Sequence, residues 1–291
     1  MIHACRITAA GIRQEGDPQA LFPWWSFTKT VIALSALRLA EAGALDLDAA
    51  LPGRDFTLRQ LLANRSGLAD YPGLAAYRRA VEADGTPWPE DELLARVLAL
   101  GPLFAPGAGW AYSNTGYMLA RQAVEAAAGL SFAALVAETL ARPLGLASLR
   151  LAETRADFGA ILWPEARRYH PGWVYHGCLV GTAGDAAHLL EALVRGRLLP
   201  PARVAEMARM HRLGGALPGR PWTEHGYGLG MMTGQAGAAG RAFGHSGGGP
   251  FSTNAVYHYP EASPPATVAV FVHGTEEGLA EREAARLALA P

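Results

Sequence analysis

Trp24-Trp25-Ser26-Phe27-Thr28-Lys29-Thr30, running on into Val31-Ile32-Ala33-Leu34-Ser35-Ala36-Leu37-Arg38-Leu39-Ala40, is the stretch that decides how this chain is read. Pro23 and Ser26 are residues that start helices, and the apolar positions after them recur at helical spacing. A Ser in the first turn and a Lys three residues on lie side by side on one helix face. A hydroxyl and an amine are thereby set together at the positive end of a helix. Helix field and burial both disfavour an ammonium there, so the lysine pKa is expected to fall and a neutral amine to become available. A neutral amine beside a Ser hydroxyl is one way to activate a nucleophile.

Composition strengthens this. Lys29 is the only lysine among the 25 Lys and Arg residues of the chain. A bias towards Arg explains the rest, so the retained Lys marks a place where Arg does not serve. Arg cannot give up its proton in a protein, whereas a buried Lys can. With nine Ser and one Lys, a chance Ser-x-x-Lys has a probability of about 0.03.

The chain has 291 residues, 50% hydrophobic and only 18% charged, which predicts one large domain or two sharing a substantial core. A net charge of −1 without basic blocks argues against nucleic acid as a partner. Cys5 and Cys178 are isolated, without metal-ligand spacing or a disulfide framework, and neither a metal nor a cofactor is expected. No apolar run is long enough to cross a bilayer, and Met1-Ile2-His3-Ala4-Cys5-Arg6 does not open a secretory signal. A soluble cytoplasmic protein with no membrane partner is the expectation.

Along the chain, residues 1–22 hold one or two short strands, and the Ser26 helix runs to about Ala42 and stops at Gly43. Thr57-Leu58-Arg59-Gln60 is a capping box opening a helix through Leu62. Helices are expected at about 74–83, 90–100, 116–128 and 131–141, the last capped by Ser131. Residues from Pro143 to about 176 read mostly as loop. Thr182-Ala183-Gly184-Asp185 signals another capping box and a helix to about Arg195, with a further helix at 201–210. Gly226–Thr233, Val256–Tyr259 and Thr267–His273 read as strands, and Glu276–Ala290 as an amphipathic helix. Strands at both ends with helices between predict an α+β fold whose sheet is built from both termini, with a mostly helical insertion. The boundaries are an α/β part at about 1–45 and 177–291 and a helical part at about 46–176, within one domain over 1–291.

Two further elements carry chemistry. Tyr112-Ser113-Asn114 follows the loop Phe104-Ala105-Pro106-Gly107-Ala108-Gly109, and residues at i and i+2 there can point together into a cleft. A phenol near Lys29 is expected to have a lowered pKa and to pass protons. Asn114 offers a donor and an acceptor suited to a substrate amide. Gly244-His245-Ser246-Gly247-Gly248-Gly249 lets a strand lie close against a ligand and present backbone N–H groups, one of which could join the N–H of Ser26 in an oxyanion hole.

Taken together and in this order, the three elements resemble the serine β-lactamase and penicillin-binding-protein superfamily, in the branch with Tyr-x-Asn: class C-like β-lactamases, D-amino-acid peptidases and related esterases. Leu45-Asp46-Leu47-Asp48, Phe56–Leu62, Ser66-Gly67-Leu68, Trp110–Tyr117, Pro143-Leu144-Gly145 and Gly226–Gly230 look like signposts of the same family, over residues 24 to 260. The resemblance implies a β-lactamase/transpeptidase-like antiparallel sheet flanked by helices. It implies Ser26 as the acylated nucleophile, Lys29 as its base partner and Tyr112 as second proton carrier. It implies Asn114, His245, Ser246 and Gly247 as substrate-binding positions, and Ser26 and Gly248 as the oxyanion-hole N–H donors. The expected activity is hydrolysis of a small ester or amide through acyl-Ser26, with a carboxylesterase or D-amino-acid peptidase favoured over an efficient β-lactamase.

Departures from the family carry expectations of their own. About 25 residues precede Ser26 where relatives carry two full strands and more, so a smaller sheet is expected. His245 replaces the Lys common in efficient β-lactamases, and an imidazole titrating near neutrality predicts a carboxylate contact that strengthens as pH falls. Asn64-Arg65 stands where relatives often have a His. Two rival readings stand beside the main one. Gly244-His245-Ser246-Gly247-Gly248 also fits the G-x-S-x-G nucleophile elbow of α/β-hydrolases, with Glu261 and His273 following in order, although the elbow requires a helix right after the Ser. The other is a module that is acylated by a β-lactam without turning it over.

Overall fold

The computed structural model describes all 291 residues. Its centre is an eight-stranded antiparallel sheet, in the spatial order Gly11–Glu15, Ile2–Thr8, Ala266–His273, Ser252–Tyr259, Arg241–Gly248, Met232–Gln235, Glu224–Tyr227 and His211–Gly214. Both termini build it, as the pattern predicts. Residues 266–272 and all of Ser252–Tyr259 are buried, because helices cover both faces. Cys5, Ile7, Phe243, Val256, Ala269 and Phe271 join the larger core beneath the helices Thr28–Glu41 and Ala183–Val194. Their alternating neighbours, among them Ala4, Ala255, Tyr257, Val268 and Val270, join a second core under the C-terminal helix Glu277–Ala288. The two-residue period of a strand thus assigns each side chain to one layer.

The expectation of a smaller sheet is overturned. Ile2–Thr8 and Gly11–Glu15 form a complete hairpin, and Ile2–Thr8 pairs with Ala266–His273 from Ile2↔Val272 to Ile7↔Thr267. A seven-residue strand and a tight turn fit within the 25 residues. The expected strand Gly226–Thr233 is two strands joined at Gly228–Met231. Gly230 breaks it with φ 68°, and a Cβ there would lie 2.7 Å from the Lys29 carbonyl oxygen. Thr30 Oγ1 donates to the Gly230 carbonyl at 2.6 Å. That turn therefore locks the Lys29 helix against the sheet.

The Thr57 capping box is complete: Thr57 accepts from the Gln60 N–H, Gln60 accepts from the Thr57 N–H, and the helix runs Leu58–Leu62. At Thr182 only half the box forms. Thr182 accepts from the Asp185 N–H, while the Asp185 carboxylate turns to the Ser148 N–H at 2.9 Å. The stretch read as mostly loop holds the strand Arg150–Ala152, which pairs with Cys178–Gly181 in a small second sheet with Phe22–Pro23. Strands of two to four residues are too short to show a period, which is why the sequence hid them. No single helix is long and apolar enough to cross a membrane.

Candidate active site

Ser26 sits in a 3-10 turn, Trp25–Phe27, that feeds directly into the helix Thr28–Glu41. This moves the helix start past Ser26: Pro23 belongs to a strand, Phe27 is the N-cap residue, and no side chain caps the helix. The Ser26 hydroxyl is therefore not spent on a helix N–H. Trp25 has φ 43°, in the left-handed region that costs a non-glycine residue about 1–2 kcal/mol. Its indole holds it there, donating to Ser252 Oγ at 2.9 Å and packing edge-on to Phe158, Tyr169 and Phe251. The strain lies next to Ser26, where it turns the hydroxyl towards the cavity.

Lys29 is fully buried, and burial lowers its pKa to about 7, opposed by the field of Asp70. Its Nζ has three partners: Ser26 Oγ at 3.0 Å, Asn114 Oδ1 at 2.7 Å and His176 Nε2 at 3.1 Å. Their chemistry constrains where the protons sit. The Asp70 carboxylate accepts from Asn114 Nδ2 at 2.7 Å, so the amide must turn its oxygen to Lys29. His176 is buried and neutral, its pKa driven well down by burial and by Lys29. In the tautomer with its proton on Nδ1, a buried nitrogen without a partner, it accepts at Nε2, and a neutral amine donating to Asn114 and His176 then turns its lone pair to Ser26 Oγ. Asp70 and His176 carry no motif of their own in the sequence; only the turn residues around Asp70, Gly67-Leu68 and Tyr71-Pro72-Gly73, hint at an ordered loop.

Tyr112 and Asn114 do point the same way. Ser113, between them, caps the helix Asn114–Ala128 by accepting from the Gly116 N–H at 3.0 Å. Asn64, the departure without an evident consequence in the sequence, secures this loop. It is buried with φ 57°, and its Oδ1 accepts from the Ser113 N–H at 3.1 Å. Arg65 reaches the carbonyls of Gly107 and Gly109. Lys29 Nζ lies 5.0 Å from the centre of the Tyr112 ring. The expected lowering of the Tyr112 pKa is reversed: burial raises it well above the ordinary value, with Tyr227 adding to the rise and Ser26 opposing it. The phenol stays protonated at neutral pH and is a proton donor at rest.

The third element is the strand Arg241–Gly248. Its neighbour Met232–Gln235 pairs with it only as far as Gly244, leaving residues 245–248 as an open edge beside Ser26. The Gly249 N–H donates to Ser252 on the other side. Since successive N–H groups alternate, the Gly248 N–H points to the open edge. A Cβ on Gly247 would lie 2.7 Å from the Ser26 nitrogen, so glycine allows the strand to approach that closely.

His245 does not titrate as expected. It is 1% exposed, Nδ1 faces the Ser246 carbonyl and Nε2 lies 3.0 Å from Tyr227 Oη. Burial takes its pKa down to about 3, so the wall holds a neutral ring rather than a switchable cation. Ser246 Oγ accepts from Arg220 at 3.0 Å. Ser246 lies within a strand followed by another strand, buried, and so cannot be a nucleophile elbow; the α/β-hydrolase reading is overturned.

These groups open onto a cavity of about 900 Å³ lined by Ser26, Tyr112, Asn114, His245, Ser246 and Gly248, with Tyr71, Tyr77, Trp110, Tyr169 and Trp173 forming an aromatic wall. No three His, Cys, Asp or Glu side chains converge as metal ligands.

Among solved structures, the chain superposes on a D-stereospecific amidohydrolase from Streptomyces sp. with TM-score 0.81 and 24% identity, covering 99% of this chain and 92% of that one. D-amino acid amidase from Ochrobactrum anthropi SV3, complexed with L-phenylalanine, gives TM-score 0.80 and 21% identity over 98% and 92%. In sequence, the chain is 33% identical over 169 residues to penicillin-binding protein 4* of Bacillus subtilis (strain 168), and 30% identical over 256 residues to esterase EstB of Burkholderia gladioli. These matches cover 54% and 69% of this chain, and 35% and 65% of the two relatives. The model of the family described as Beta-lactamase matches residues 9–290, and the chain belongs to that family.

Proposed function

We propose that the protein is a serine hydrolase that cleaves a small ester or amide through an acyl-Ser26 intermediate. The observation that carries this is the buried Lys29 amine 3.0 Å from Ser26 Oγ, with its pKa brought down to about 7. Lys29 takes the Ser26 proton as Oγ bonds to the substrate carbonyl carbon. The oxyanion is met by the N–H groups of Ser26 and Gly248. As the carbon–leaving-group bond breaks, Tyr112 protonates the leaving group and recovers a proton from the Lys29 ammonium. In deacylation a water gives its proton to this Lys29–Tyr112 pair, and Ser26 departs with a proton returned from it. Asn114 and His176 hold the amine in register, and Asp70 holds Asn114.

The relatives named for penicillin binding, esterase and D-amino acid amidase activity define the substrates to try: short-chain esters, D-aminoacyl amides and β-lactams. A neutral His245 in place of Lys supports esters and amides over efficient β-lactam turnover. Labelling with a fluorophosphonate should place one adduct on Ser26, and Ser26→Ala should abolish both labelling and turnover while leaving the fold intact, since the change removes little packing. Turnover retained in Ser26→Ala overturns the assignment. Steady hydrolysis of p-nitrophenyl esters supports an enzyme, whereas a single-turnover burst with nitrocefin and no steady rate identifies a slowly deacylating β-lactam binder.

A further inference from the structure

Asn254 lies on the strand Ser252–Tyr259, directly opposite Gly247 of Arg241–Gly248, the strand that carries the Gly248 N–H. Its side chain is fully buried and reaches across to the segment that carries Ser26. Nδ2 donates to the Pro23 carbonyl at 3.3 Å, three residues before the nucleophile. Ser252 stands two residues earlier on the same strand, and therefore on the same face. Its Oγ accepts from the Trp25 indole at 2.9 Å. The strand thus grips the segment Pro23–Ser26 at two points. Gly247 leaves room for this contact: a Cβ there would lie 2.7 Å from the Ser26 nitrogen and 3.2 Å from Asn254 Nδ2. The amide, the glycine and the Ser26 nitrogen converge at one place.

As a packing residue, Asn254 is a poor choice. Its Oδ1 is buried and accepts no hydrogen bond, which costs stability that an apolar side chain of similar volume would not. Val256, next along the same face, is such an apolar residue and belongs to the larger core. What the amide supplies instead is a bond between two pieces of backbone whose N–H groups must meet on one oxygen. Such donors act only where they are fixed in advance at hydrogen-bond distance from the developing charge. We infer that Asn254 is a positioning residue of the oxyanion hole. By tying the Pro23 carbonyl to the strand beside Arg241–Gly248, it fixes the Ser26 N–H relative to the Gly248 N–H. Asn254 lines no part of the cavity, so it acts on the substrate only through these groups. This role rests on the acyl-Ser26 reading and extends it to a residue outside the three sequence elements.

Asn254→Leu removes the donor at nearly constant volume. It takes away the orphaned Oδ1 and leaves the Pro23 carbonyl without the amide, so Tm should stay within about 4 °C of wild type. Both half-reactions pass through the oxyanion hole. For p-nitrophenyl acetate, kcat should therefore fall at least about tenfold, part of the roughly 10²–10³-fold that loss of a whole donor costs. KM should stay within about threefold. The pH at which kcat/KM levels off should not move, because Lys29 keeps its partners. Fluorophosphonate labelling of Ser26, which puts an oxygen into the same hole, should slow in parallel. Asn254→Thr suits a strand and keeps a donor hydroxyl, and should fall between Leu and wild type. An unchanged kcat and labelling rate, a loss confined to KM, or a shifted pH profile overturns the inference. Melting of both variants far below wild type also overturns it, and makes Asn254 a packing residue. A wild type that forms no Ser26 adduct strikes the hydrolase reading and this role with it. An adduct formed as fast in Asn254→Leu as in wild type strikes only this role.

Discussion

The lysine pKa makes a prediction with two readouts that must agree. Burial brings Lys29 from 10.5 to about 7, which raises the fraction of neutral amine at pH 7 about a thousandfold over a solvent-exposed lysine. For a neutral ester, kcat/KM should rise with a limiting slope of one below pH 7 and level off above it, because that ratio reports ionisations of the free enzyme. The same shift acts on stability. The folded state releases this proton as pH rises through about 7, while the unfolded chain keeps it to about 10.5. Folded protein therefore binds fewer protons between those values, and its stability rises with pH there at about 1.4 kcal/mol per unit. Below pH 7 both states hold the proton and the stabilisation is absent. Measured as the difference between wild type and Lys29→Met in urea denaturation, which cancels other titrations, the gain from pH 7 to pH 9 should be about 2 kcal/mol. A rate profile flat from pH 5.5 to 8.5, or a stability difference that does not change with pH, refutes the buried neutral amine. Lys29→Arg keeps the charge and cannot act as base; a variant retaining more than about a tenth of kcat/KM, a loss under ~1.4 kcal/mol, would leave Lys29 an electrostatic role only.

Other outcomes follow from the neighbouring groups. Tyr112→Phe should lower kcat by about 10²–10⁴-fold, with deacylation slowed at least as much as acylation in pre-steady-state traces; an effect confined to KM leaves Tyr112 a binding role. Asn64→Ala removes the acceptor for the Ser113 N–H and places a Cβ-bearing residue without a local polar partner at φ 57°, and should cost about 1–3 kcal/mol in denaturant titrations together with a fall in kcat. Asn64→Gly loses the bond but tolerates the φ, so it should fall between wild type and Ala. With His245 held neutral down to about pH 3, carboxylate-bearing and neutral esters should show parallel pH profiles from pH 8 to 6; a relative gain for the carboxylate at low pH would restore His245 as a titrating contact.

Much of the site was legible because it depends on local spacing. Ser26 and Lys29 sit three apart on one face, Tyr112 and Asn114 two apart at a helix start, and the glycines of 244–249 mark close backbone approach. The Thr57 capping box and the long amphipathic helices were legible for the same reason, since their signals lie within four residues. What stayed hidden is set by tertiary contact. His176 meets Lys29 across 147 residues, and Asp70 reaches Asn114 across 44. The direction of the Tyr112 shift is reversed, and His245 titrates far below neutrality, on the same grounds: proximity to a charge is visible in the motifs, but complete burial is not, and burial is the larger effect at both.

The uniqueness of Lys29 then acquires a structural meaning. Every other cationic side chain except histidine is an arginine, and those nearest the site are held in place: Arg220 by Glu281, Arg65 by backbone carbonyls. An arginine at position 29 would bring a permanent charge into a pocket whose partners are an amide oxygen, an imidazole nitrogen and a hydroxyl, none of them anionic. Its desolvation would go uncompensated. The lysine resolves this by giving up its proton, with the Asp70 carboxylate behind Asn114 and the Asn114 amide as the neutral spacer between them. Asn114→Asp tests that layout. It places a carboxylate 2.7 Å from Nζ and beside Asp70, so the ammonium form is favoured and the Lys29 pKa rises. The kcat/KM profile should shift to higher pH by at least one unit, with the rate at pH 7 falling accordingly. An unshifted profile would mean that burial alone sets the lysine, and that the amide bridge contributes orientation without electrostatics.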